Sequence, residues 1–113
     1  MTNYLISFPS AAMVLSGEDL ADVVETSHAV VDDMREAGVL VFAGGLDDQV
    51  GPVRVDATGA ITEGPYPQRA GFDGGFTVID VPSREEAAVW AARVAAACRC
   101  DQELRAFGEG SAT

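Results

Sequence analysis

Apolar and polar positions alternate or recur with a clear period along most of this chain. "NYLISFP", residues 3–9, is rich in β-formers and stops at proline, which predicts a first strand. Ser16 with Asp19 three residues on predicts a capped helix start. In that helix Leu20, Val23, Val24, Ser27, Val31 and Met34 recur at helical spacing, while Asp22, Glu25, Asp32, Asp33 and Glu36 fall outside the stripe. Gly38 is placed to end it. "VLVFAGGL", residues 39–46, predicts a second strand, and "PVRVDATGAIT" a third that closes in a hairpin-like bend at Thr58-Gly59. "FTVIDV" predicts a fourth strand ending at Pro82. Ser83 and Glu86 then cap a helix over about 84–97, with Ala87, Trp90, Val94 and Ala97 on one face. "QELRAF", residues 102–107, is the last strand.

The order β-α-β-β-loop-β-α-β predicts an α+β fold of ferredoxin-like type. Two helices cover one face of an antiparallel sheet, with an extra strand or loop in the middle. Strand residues of both parities are apolar: Leu40 and Phe42 as well as Val39 and Val41, Val78 as well as Ile79. A sheet that is apolar on both faces, with helices on only one, predicts a homodimer joined sheet against sheet. At 113 residues the chain reads as one domain, 1–113, with an ordered core of about 3–108.

Charge narrows the function. The net charge is −11 and all seven cationic side chains are arginine. Such a surface repels nucleic-acid phosphates and anionic membranes, so neither is expected as a partner. Without lysine there is no Schiff-base chemistry. One histidine is too few for a His-rich zinc site, and Asp47-Asp48 is weak as a cation site, so no metal is expected. No cofactor is implied. No apolar run approaches the ~20 residues of a membrane helix, and the first fifteen residues make a poor signal peptide; the chain reads as cytoplasmic. Cys98 and Cys100, one residue apart, read as packing residues rather than a redox pair.

"EGPYPQRAGFDGGF", residues 63–76, holds four glycines, two prolines and three aromatics. It has no phosphate-loop spacing and leads into a strand, where a phosphate cradle leads into a helix. It reads as a rigid turn whose glycines admit the chain to strand four. The run "EGPY…GGF", with "EAGVLVFAGGL" before it and "VIDVPSREEAAVWAARV" after it, resembles the YCII-related family, specifically its DGPF group. The likeness spans about residues 3–108.

That resemblance implies a dimeric α+β barrel. It implies less about activity: the family is mostly uncharacterised, with a few relatives linked to breakdown of chlorinated aromatics and some encoded beside extracytoplasmic-function sigma factors. Glu63, Gly64, Pro65 and Tyr66 fit the group's acidic-Gly-Pro-aromatic positions, and Gly74, Gly75 and Phe76 its later glycines and aromatic. The family usually carries an acidic residue and a Lys-Glu pair between them. Here those positions hold Gln68, Ala70 and Gly71, with Arg69 displaced by one.

His28 is the chain's one histidine, the residue type best suited to acid–base exchange. It stands about 100° from the centre of the apolar stripe, with Glu25 three before it and Asp32 four after. A carboxylate-oriented histidine suits a general base, and the resemblance implies a first-helix histidine paired with an aspartate. The spacing from His28 to Gly38 is one residue short of that pattern; the competing reading is a histidine on a solvated acidic face. Arg54, Asp56, Glu103 and Arg105 lie on predicted strands, either inward against a polar ligand or outward as surface charge.

Two functions follow. In one, a small aromatic or lactone-like metabolite binds in a barrel pocket, with His28 and Asp32 as catalytic candidates. Arg69 or Arg105 then contacts an anion, and Tyr66 and Phe72 form a lid; any enzyme would be a cofactor-free proton-transfer lyase or isomerase. In the other, the chain is a non-catalytic dimeric accessory or sensing module, tied to transcription through a protein partner. The two differ in whether His28 and the 63–76 loop converge on one closed cavity.

Overall fold

A computed structural model describes residues 1–69 and 72–112. The elements run β1 (Thr2–Phe8), α1 (Gly17–Glu36), β2 (Leu40–Gly45), β3 (Val53–Val55), β4 (Ile61–Glu63), β5 (Gly75–Val81), α2 (Arg84–Cys98) and β6 (Glu103–Ala106). Single 3-10 turns sit at Ser10–Ala12 and Pro67–Arg69.

Both helices start where their caps place them. Ser16 Oγ accepts from the Asp19 backbone N–H and donates to its carboxylate, and Ser83 Oγ accepts from the Glu86 N–H at 3.2 Å. Each bond accepted by a serine satisfies an amide of the first helical turn. α1 ends at Gly38, whose φ of +74° glycine adopts without the strain that a side chain brings. There the Gly38 N–H reaches the Arg35 carbonyl and the Val39 N–H that of Met34, the paired closure of a Schellman motif.

The main sheet is antiparallel, in the order β2-β5-β1-β6, which is the ferredoxin-like arrangement. Tyr4 pairs with Ile79 and Ile6 with Thr77, so these side chains share the helix-covered face. They pack with Met34, Val81, Ala87 and Val94 in the buried core. The helices are tied to each other as well. Thr26 Oγ1 donates to the Ala97 carbonyl at 2.8 Å, and Arg93 pairs with Asp33.

The opposite parity (Leu5, Phe76, Val78 and, across a bulge at Val41, Phe42) lies on the uncovered face. Phe42 is 58% exposed. An apolar second face was expected from the strand sequences, and the register places it there.

The third predicted strand is not a member of this sheet. β3 and β4 pair only with each other, and the Asp56 carboxylate closes the turn by accepting from the Thr58 N–H, the Thr58 hydroxyl and the Ala60 N–H. Every residue of both strands is exposed. The molecule is accordingly a slab of 42 × 41 × 20 Å with a radius of gyration of 15.6 Å, against roughly 13 Å for a compact chain of this length.

Candidate functional site

α1 was expected to bury one continuous stripe. Instead Val23, Val30 and Met34 are buried, while Leu20 and Val24, on the same side, are about half exposed. The reason is a cavity of about 580 Å³ between α1 and the sheet, which both residues line. Its floor is sheet backbone and small residues, Ala43, Gly44, Gly45 and Gly75, with Phe8 and Thr77 beside them. By register Ala43 and Gly45 are the β2 residues on the cavity side, whereas a Cβ at Gly44 would meet the Phe42 ring on the uncovered face. The volume falls within the range of small-molecule sites.

His28, Asp32 and Arg35 line the same cavity from α1. His28 is exposed. Asp32 does not orient it: Asp32 Oδ1 accepts from Arg35 Nη1 at 2.7 Å, an ion pair with both partners well exposed. Gln102, just before β6, also lines the cavity. Its Nε2 donates to the Cys100 carbonyl, and its Oε1 is buried without a partner. Cys98 lines the cavity too, and burial pushes its thiol up to about 11, with the neighbouring Cys100 adding to the effect. It stays protonated and unreactive at neutral pH.

The 63–76 loop builds a different place. Tyr66, Arg69 and Phe72 line a second cavity of about 870 Å³, together with the β3 residues Val53, Arg54 and Val55 and the 46–52 segment. Arg69 lies over the Phe72 ring at 5.1 Å, and Phe72 stacks at a tilt on Phe76, also at 5.1 Å. The loop is fastened at its far end. Asp73 accepts from both the backbone N–H and the hydroxyl of Ser10, which hold its carboxyl below the usual range, the backbone bond most. Gly74 follows with φ +92°, so close to β1 that a Cβ would stand 2.0 Å from the Phe8 carbonyl oxygen.

The sequence candidates therefore fall in three places. His28 and Asp32 share the helix–sheet cavity; Tyr66, Arg69 and Phe72 share the cavity beneath the hairpin; Arg105 lies on β6, paired with Glu103 and lining neither. By register Arg105 stands opposite Leu5, on the uncovered face. Gln68 is exposed in the 3-10 turn, and Ala70 and Gly71 lie outside the described residues. The roles of Leu20, Val24 and Gln102 were missed because a half-exposed apolar side chain and a core one have the same periodicity. Arg54 was weighed only as a strand charge; its signal was proximity to the valines of a hairpin with no core beneath it.

Among the described residues no three His, Cys, Asp or Glu side chains come together as a metal site, and no helix is long and apolar enough to cross a membrane. No curated protein matches the sequence. The family model for the YCII-related domain matches residues 3–99, which takes in both helices, five of the six strands and both cavities save Gln102. With the ferredoxin-like sheet, the two covering helices and this match over most of its length, the chain belongs to the YCII-related domain family.

Proposed function

We propose that this protein binds a small aromatic or lactone-like metabolite in the cavity between α1 and the sheet, with His28 at its mouth as the proton acceptor. The observation that carries the reading is the division of the α1 stripe. Leu20 and Val24 leave the core and line a space of about 580 Å³ that they share with Ala43 and Gly45 of β2. An apolar lining with one histidine and a few polar side chains is the usual make-up of a small-molecule site. Asp32 is four residues from His28 on the same helix, and its exposed pair with Arg35 is cheap to break. A bound ligand that drew Arg35 away would free Asp32 to orient the ring. The chemistry would then be cofactor-free proton transfer of lyase or isomerase type.

A second reading is a non-catalytic dimeric module that senses or assists through a protein partner. Two observations favour it: the 63–76 loop lines a different cavity from His28, so it forms no lid over the ring, and the Asp32–Arg35 pair leaves His28 without an orienting carboxylate. The exposed apolar face around Phe42 suits a homodimer in either reading, closing two sheets into a dimeric barrel.

The test is a thermal-shift titration of wild type and His28→Ala against phenols, lactones and small carboxylic acids. Saturable stabilisation of wild type, weakened in the variant, is the expected result. A panel without any shift overturns the metabolite reading and leaves the dimeric module.

A further inference from the structure

Positive charge is scarce here, and where it is left uncommitted is informative. Arg35, Arg93, Arg99 and Arg105 each pair with a carboxylate, to Asp32, Asp33, Asp19 and Glu103. Among the described residues the arginines without such a pair are Arg54, Arg69 and Arg84. Two of these three line one cavity, the space beneath the β3–β4 hairpin. In a chain of net charge −11 there is no shortage of carboxylates to neutralise them. Three even line the same space: Asp47, Asp48 and Asp73. Each accepts from a neutral neighbour instead of an arginine. Asp73 gives both oxygens to Ser10, while Asp47 accepts from the Gln49 backbone and Asp48 from the Gln49 side chain.

We infer that the hairpin cavity is a binding site for a small aromatic monocarboxylate, its carboxylate held by Arg54 and Arg69 and its ring by Val53, Val55, Tyr66 and Phe72. A guanidinium presents a fork of N–H donors that matches a carboxylate, and one held over a ring still has those donors to give. Arg69 is held over Phe72 in that way. The apolar wall calls for an apolar body on the ligand. The nearby aspartates penalise a dianion more than a monoanion, which sets carboxylate above phosphate. The site shares no lining residue with the His28 cavity, so it stands or falls apart from the proposed function.

The experiment is a 15N-NMR titration of the intact chain with sodium benzoate at constant ionic strength, and with benzyl alcohol as the neutral counterpart. Benzoate is expected to bind on the order of millimolar, as suits so small a ligand, with saturable shifts at residues 53–55, 66 and 72. Arg54→Gln and Arg69→Gln should each weaken it about tenfold, the scale of a lost charge-assisted bond. Arg84→Gln should leave it unchanged. All three arginines are exposed, so the variants will fold. The inference is overturned if benzyl alcohol binds as tightly, if the Arg54 and Arg69 variants bind like wild type, or if benzoate gives no saturable shift by tens of millimolar.

Discussion

The main sheet and the β3–β4 hairpin are written in similar residues and meet opposite fates. β5 reads Gly-Phe-Thr-Val-Ile-Asp-Val and buries Thr77, Ile79 and Val81 under the helices. β3 and β4 read Val-Arg-Val and Ile-Thr-Glu, and their Val53, Val55 and Ile61 are 45, 62 and 65% exposed. Alternation selects extended backbone in both. What it does not specify is whether anything lies against the apolar side. β5 has α1 and α2 over it, whereas the hairpin has a cavity. The same pattern thus builds a core in one region and a recognition surface in the other.

The sharpest way to test that division is at the junction between the two regions. Gly74→Ala would drive a methyl into the Phe8 carbonyl at a φ that alanine resists. The expected loss is about 3 kcal/mol or more in urea unfolding, since both the clash and the backbone strain must be relieved by moving β1 from β5. A loss under about 1 kcal/mol would mean that the loop moves independently of the sheet.

Next in size is the direct contrast. Ile79→Ala removes a fully buried side chain and should cost about 2–5 kcal/mol. Val55→Ala, on the hairpin, should stay within about 0.5 kcal/mol. Equal losses at the two positions would erase the distinction between core and surface strand.

Much of this was legible in the sequence. Ser16, Ser83 and Gly38 mark helix ends through bonds within a few residues, and such local chemistry survives any tertiary arrangement. Thr58-Gly59 likewise marked the turn of the hairpin. What was not legible depends on long-range placement. The 63–76 loop and α1 are joined only through the sheet, so no local spacing could say that Tyr66, Arg69 and Phe72 part company with His28. Nor could periodicity separate Leu20 from Met34, one facing a void and the other the core. Trp90, expected on the buried face of α2, is half-buried with the Arg93 guanidinium over its ring, while Ala91 takes the interior place.

The smallest expected effect concerns the fastening of the loop by pH. Ser10 stabilises the charged form of Asp73, so the carboxyl titrates below its ordinary value of 3.8 in the folded chain. A depressed folded value gives stability that is complete above the unfolded value and lost as pH falls through the folded one. Asp73→Ala should therefore lower Tm modestly at pH 7, and the gap to wild type should close as pH is taken below 3.8. A gap that persists unchanged into acid would assign the effect to packing instead of charge.

The strand order has a consequence for how such a chain comes to be. β1 lies between β5 and β6, and its hydrogen-bonded partners span residues 75–106. During synthesis β1 leaves the ribosome long before either neighbour exists, and α1 emerges with no sheet to pack on. The polypeptide must carry "NYLIS" and the α1 stripe unpartnered until its last third is made. Assembly is thus forced late and all at once, the slow regime that non-local pairing imposes. The acidic outer face of α1, with Glu18, Asp22, Glu25 and Glu36, is present from the outset and gives that waiting segment a charge that opposes aggregation.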